Sequence, residues 1–337
     1  MQKALAWTDA KDITTRGHPL MWHNCLPRFV DNEESLEKIE QYILDHVQML
    51  VKAYPQVDQW DLYNETPGIR FVPPGNGARR WVEAVGGTGP ATRKIVDAVR
   101  AIQPDGYFIL NHFNHADPEY HKQIAYCLED NVSLDAIGIQ THMHTPSQTQ
   151  TEDGMWKMLE RYATYGKPIH LSEITVLSSK QFKNWKVLKQ WEADIKAAQE
   201  SGQKSQSRPS TPEGEAYQAR YVRDFYTLAF SHPSVEAIVW WSVSDSGAWR
   251  NSAAGLLDET MNPKPAYHAL DRLINHEWRT SARLETDTRG SIAFRGFHGD
   301  YRVQASYRGK PLSGTFRLPR GGVAGPLSVT LRPDNTL

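Results

Sequence analysis

No stretch of this 337-residue sequence approaches the ~20 consecutive apolar residues that cross a bilayer. The opening MQKALAWTDAKD also lacks the apolar core of a signal peptide. A soluble chain with no membrane partner is expected. Cysteine is nearly absent: Cys25 and Cys127 lie far apart and form no CxxC unit. That pattern excludes a disulfide framework and a thiolate metal site. An excess of either charge is missing too, since 38 basic and 39 acidic residues leave a net charge of -1. Without a long basic run to neutralise phosphates, nucleic acid is not an expected partner. What remains is chain enough for a large core, arranged as one large domain and a small one or as two ordinary ones.

Six short apolar or β-branched runs alternate with amphipathic stretches: TTRGHPLMWH, VDQWDLYNE, GYFILNHFN, LDAIGIQTHMH, KPIHLSEITV and VEAIVWWSVSD. Between and around them, helical periodicity covers residues 33–53, 91–102, 118–128, 152–165 and 213–230. Strand and helix in alternation predict βα units around a parallel sheet. Each run starts apolar and ends polar. In a (β/α)8 barrel, inward side chains alternate along each strand and chemistry gathers at the carboxyl ends. A period of two then points His18 and Trp22, Asp61 and Glu65, Asn111, Gln140 and His142, Glu173, and Trp240 to one rim.

The fold class expected is α/β: a TIM-type (β/α)8 barrel, incomplete, with six visible βα units and a small C-terminal β-domain. The barrel would occupy residues 1–275 and the β-domain 276–337, where short alternating strands with turn signals begin. Six strands leave two unpaired edges, and such edges recruit other chains. A homo-oligomer, or the C-terminal region, is expected to cover the gap. Residues 178–211 form a long polar insertion carrying Trp185 and Trp191, read as a helix and then a loop beside the site. Phe294, Phe297 and Tyr301 of the β-domain are read as packing residues.

Breaking a glycosidic bond needs one group to protonate the leaving oxygen and another to meet the oxocarbenium-like carbon from the opposite face. Glu65 and Glu173, at the ends of different strands in Asn64-Glu65 and Ser172-Glu173, are the candidate pair. Eleven tryptophans are present, and Trp22, Trp240 and Trp249 fall at or just after strand ends. A sugar's apolar face stacks on such rings. Asn64, Asn111, Asn114, Gln140, His18 and His142 interleave with them and hydrogen-bond hydroxyls as donors and acceptors. Flat aromatic faces mixed with neutral hydrogen-bonding groups fit a carbohydrate cleft better than a phosphate or acyl site.

Taken together, RGHPLMWH, WDLYNE, LNHFN, GIQTHMH, HLSEIT, VWWSVSDSGAW and GLLDETMNPKPAYHAL, in that order over residues 16–270, resemble glycoside hydrolase family 10, the endo-β-1,4-xylanases of TIM-barrel fold. The resemblance implies hydrolysis of xylan with retention, no cofactor and no metal, with Glu65 as acid/base and Glu173 as nucleophile. It further implies that Asn64 holds a sugar 2-hydroxyl, that Gln140 and His142 orient the carboxyls, and that His18, Trp22, Trp240 and Trp249 shape the adjoining subsite. A secreted or periplasmic location follows from the same resemblance. Two departures stand out. The family's usual aspartate two residues after the nucleophile is Thr175 here, which predicts a less basic His142. The second barrel strand, source of the family's contacts to the next sugar on the non-reducing side, is not visible, and weakened glycone binding is expected. Two other readings are retained: a β-glycan-binding protein with little or no turnover, and a metal-dependent hydrolase built on the HxH pair His142 and His144 with Asp245.

Overall fold

The computed structural model describes residues 2–333 and divides after Tyr267 into two compact units. The sequence pattern places the change eight residues later, after residue 275. The first unit holds six parallel strands in chain order: β1 (Arg16–Gly17), β2 (Gln59–Asp61), β3 (Tyr107–His112), β4 (Ala136–Met143), β5 (Ile169–Val176) and β6 (Val235–Trp240). They form an open half-barrel, with helices between successive strands as in the barrel expected. Among the described residues, β1 and β6 pair with no further strand on their outer sides.

The outer helices start where the sequence supplies caps and bury where it supplies apolar spacing. Helix Leu36–Ala53 begins at Ser35, whose side chain accepts from the Lys38 backbone N–H. Its Ile39, Ile43, Val47 and Val51 recur every four residues and are all buried, the stripe that one face of a helix presents to a core. Asp117, Thr151 and Thr211 cap helices Pro118–Glu129, Glu152–Ala163 and Pro212–Ser231 in the same way. Proline at the first position of two of these helices removes one of the N–H groups that would otherwise lack an intrahelical partner.

Strand burial records position in the sheet. All eight residues of β5 are buried, whereas in β6 only Val235 is, and Ala237, Ile238 and Val239 are partly exposed. A strand covered on both faces and both sides reads as a continuous apolar run; an edge strand keeps one side in solvent. β5 also carries an irregularity that its sequence does not announce. Ile139 and Gln140 of β4 pair with Leu171 and Glu173, while Leu171 and Ile174 pair with Ile238 and Trp240. One extra β5 residue therefore lies against each neighbour, a bulge at Ser172–Glu173.

The second unit contains a separate antiparallel sheet of β7 (Gly299–Tyr307), β8 (Lys310–Leu318) and β9 (Arg332–Pro333). Among the described residues, this sheet carries an aromatic cluster and not a buried core: the half-buried Tyr301 stacks on Phe316 at 5.0 Å, with the exposed Phe294 edge-on at 5.6 Å from Tyr301.

Candidate active site

The carboxyl ends of β2, β3, β4 and β5 place Glu65, Asn111, Gln140 and Glu173 within reach of one another. Glu65 follows β2 in a left-handed backbone conformation, φ 54° and ψ 31°. For a residue with a side chain that geometry stores about 1–3 kcal/mol and tends to gather at functional sites. It is held by the Glu65 N–H donating to the carbonyl of Asn111 at 2.9 Å.

A chain of amides joins the two carboxyls. Gln140 Nε2 donates to Glu65 Oε1 at 3.0 Å and reaches Asn64 Oδ1 at 3.5 Å. Asn111 Nδ2 donates both to Asn64 Oδ1 at 3.0 Å and to Glu173 Oε1 at 2.9 Å. The remaining atom of that amide, Oδ1, accepts from Ser172 Oγ at 2.6 Å, so all of its polar capacity but one lone pair is committed. Two consecutive residues, Ser172 and Glu173, thus meet one asparagine. Strict alternation would send them to opposite faces, and the β5 bulge is what allows it. On β4, Gly138 makes the room: a Cβ there would lie 2.8 Å from Asn111 Oδ1.

The two carboxyls differ in surroundings. Burial disfavours the charged form of Glu65 and raises its pKa; the Gln140 hydrogen bond works against this, the Glu173 charge adds to it, and the net displacement is upward. Glu173 is buried, accepts from Asn111, and meets His142 Nε2 at 3.2 Å through its second oxygen. His142 Nδ1 in turn meets Thr175 Oγ1 at 2.8 Å, and that hydroxyl donates to the Trp241 carbonyl at 3.0 Å. Burial holds His142 below the ordinary histidine range.

Beneath the amides lies an ion network. His18 Nδ1 meets Asp61 Oδ2 at 2.8 Å, and Arg16 bonds both oxygens of that buried carboxylate. Burial alone would raise Asp61; the Arg16 charge and the bonds from His18 and Arg16 outweigh it and lower the pKa. Burial pulls His18 down, and the Asp61 hydrogen bond and charge, helped by Glu173, lift it above the ordinary value.

The aromatic wall is only partly the one expected. Trp22 is half-buried beside Glu65, and its indole N–H reaches hydrogen-bond geometry to no group. Trp249 is exposed and packs 4.6 Å from the His142 ring, with the Arg250 guanidinium 3.9 Å from its own ring centre. Trp240 is half-buried with an unpartnered indole N–H. The ring that approaches His18, at 5.8 Å, and His142, at 6.3 Å, is that of Trp241. Sequence reasoning passed over Trp241, Ser172 and Arg250. The doubled tryptophan was a signal for the first; a serine beside a catalytic glutamate was a weak one for the second.

The insertion reaches this wall. Its helix, Trp185–Glu200, brings Trp191 Nε1 to the Arg250 carbonyl at 2.7 Å and Glu192 Oε1 to Arg250 Nε at 2.5 Å. Arg250 Nη1 then meets His144 Nδ1 at 3.0 Å. Asp245, the third residue of the metal reading, accepts instead from Lys264 at 2.9 Å and from the backbone N–H groups of Ala254 and Gly255. Among the described residues, no three His, Cys, Asp or Glu side chains are grouped as metal ligands, and no helix is long and apolar enough to cross a membrane.

Known proteins resemble this chain in sequence or in fold. The chain is 24% identical over 295 residues to endo-1,4-beta-xylanase B of Thermotoga neapolitana, covering 82% of this chain and 74% of that one. It is 38% identical over 123 residues to an anti-sigma-I factor of Acetivibrio thermocellus, covering 36% of this chain; those residues amount to only 16% of that protein. Xylanase 10B of Thermotoga petrophila, solved in complex with xylobiose, superposes with a TM-score of 0.60 at 22% identity, over 82% of this chain and 78% of that one. The glycosyl hydrolase family 10 model matches residues 1–272, a span that contains every strand of the half-barrel and both candidate carboxyls, and the chain belongs to that family.

Proposed function

We propose that the chain is a retaining endo-β-1,4-xylanase in which Glu173 is the nucleophile and Glu65 the acid/base. The observation that carries this reading is the amide chain from Glu65 through Gln140, Asn64 and Asn111 to Glu173, which sets two carboxyls in different electrostatic surroundings. In the first step Glu65, whose protonated form burial and the Glu173 charge favour, gives its proton to the leaving oxygen while Glu173 attacks the anomeric carbon. Esterification removes the Glu173 charge. The Glu65 pKa falls, and the same carboxylate takes a proton from the water that releases the sugar. Asn64, whose Oδ1 faces protein donors, offers its Nδ2 to the sugar 2-hydroxyl. A double displacement requires the carboxyls to stand about 5–5.5 Å apart.

Release of reducing sugar from xylan, lost in Glu173→Ala and in Glu65→Ala, is the expected outcome. Turnover of aryl β-xylobioside against aryl β-cellobioside then decides between five- and six-carbon sugars. A polymeric plant substrate also argues for a site of action outside the cytoplasm. The six-stranded open sheet and the partial identity to a protein named an anti-sigma-I factor and not a hydrolase favour a second reading, a β-glycan-binding protein with little or no turnover. Xylan affinity in the wild type without sugar release would support it over the first.

A further inference from the structure

Three contacts around His142 impose a count of protons. Thr175 Oγ1 carries a single hydrogen, which it donates to the Trp241 carbonyl at 3.0 Å. The same oxygen lies 2.8 Å from His142 Nδ1, and with its hydrogen committed it meets that nitrogen as an acceptor. His142 Nδ1 therefore bears a proton. In a neutral imidazole the other nitrogen, Nε2, is then bare, yet it faces Glu173 Oε2 at 3.2 Å. A lone pair against a carboxylate oxygen at that distance repels. One additional proton between the two atoms turns the contact into a hydrogen bond, and every donor and acceptor of the set is then satisfied.

We propose that Thr175 is a positioning residue that fixes the Nδ1-protonated form of His142, so that Glu173 is presented to substrate as one half of an imidazolium–carboxylate pair. Glu173 is taken as nucleophile from the function proposed above. The proton resides on the imidazole, because Glu173 Oε1 accepts from Asn111 Nδ2 at 2.9 Å, a bond that favours the ionised carboxyl. The pair is contested from several sides. Glu173 draws the proton to His142, whereas burial, Arg250 from the loop after β6 and His18 from the loop after β1 oppose it. His144, two residues along the same strand, lies 5.9 Å away ring to ring, and burial, Arg250 and His142 all disfavour its charged form. An aspartate at 175 would accept from Nδ1 as well, but it would add a negative charge. With threonine the geometry is kept and the charge is not, so the imidazolium gives up its proton at lower pH, and the bare Nε2 then pushes against the nucleophile.

Imidazole nitrogen–proton correlation spectra of the whole nitrogen-15-labelled chain, followed through pH, test this without reading turnover, so an inactive protein leaves the test intact. Above the His142 titration the remaining proton is expected on Nδ1. Thr175→Ser is expected to retain that form, Thr175→Val to move the proton to Nε2, and Thr175→Asp to shift the His142 midpoint upward. A wild-type His142 with its neutral proton on Nε2 overturns the proposal by itself, whether or not the valine variant folds. A folded Thr175→Val chain that keeps the proton on Nδ1 overturns it equally.

Discussion

Gln140 gives one N–H to Glu65 and holds that carboxyl against two influences that push its pKa upward, burial and the Glu173 charge. A hydrogen bond to a charged group contributes about 1.5–3 kcal/mol. Gln140→Ala is therefore expected to raise the Glu65 pKa further, read by carbon-13 titration of its carboxyl. It is also expected to lower kcat/KM on a xylo-oligosaccharide roughly 10- to 100-fold. The direction matters: a fall in the Glu65 pKa would show that the amide was not donating. Individual residues were legible in the sequence where chemistry and spacing coincide. The two glutamates, both asparagines and Gln140 end strands in the sequence and converge in the structure. Trp241 was not, because alternation assigns only one residue of a doubled tryptophan to the inner face, and the regular strand ends at Trp240 although the Trp241 N–H still donates to the Ile174 carbonyl of β5 at 2.7 Å.

Strands and caps were written locally; the β5 bulge was not. Alternation within HLSEITV reads as an unbroken strand, and only the registers on both sides show that Ser172 and Glu173 share one face. Ser172→Ala removes the hydroxyl that occupies Asn111 Oδ1. A loss of about 1 kcal/mol is expected, seen as a lower denaturant midpoint with an unchanged slope. The rotation of the freed amide would weaken its bond to Glu173. A larger effect belongs to the loop that follows β6. Lys264 and Asp245 are a buried pair at 2.9 Å, and Lys264 also donates to Ser178 at 2.7 Å. Taking away one member strands the other charge in the interior, which destabilises by about 3–5 kcal/mol. Lys264→Met is expected to show that loss in urea denaturation, and Lys264→Met with Asp245→Leu to recover part of it. The sequence offered Asp245 as a possible metal ligand because its distant partner, near the end of the first unit, was invisible from the strand alone.

At the scale of the whole molecule, acid is the expected weakness. Burial brings His23 and His112 down to about 4, and lowers His142, His144 and His170 as well. A histidine whose folded pKa lies below its unfolded value contributes stability that is present above the unfolded pKa and lost as pH falls towards the folded one. For His23 and His112 the window runs from about 6.5 down to about 4, with roughly 3 kcal/mol at stake for each. The depressed Asp61 extends the same slope to lower pH, below the ordinary aspartate range. His18, raised by Asp61, acts in the opposite sense, fully stabilising below about 6.5 and losing its contribution as pH rises through its folded value. Thermal unfolding at pH 7, 6, 5 and 4 is expected to give a falling Tm, and His112→Gln to flatten the fall. The half-barrel itself was legible from six polar-ended runs, and its open sides follow from the same count. What was not legible is how near one open side stands to the chemistry. The Trp241 carbonyl, one residue past the end of β6, begins a succession of contacts through Thr175 and His142 to Glu173. A chain that added itself along β6 and drew that strand outward would loosen the last carbonyl first, and the tension would arrive at the nucleophile as a changed proton.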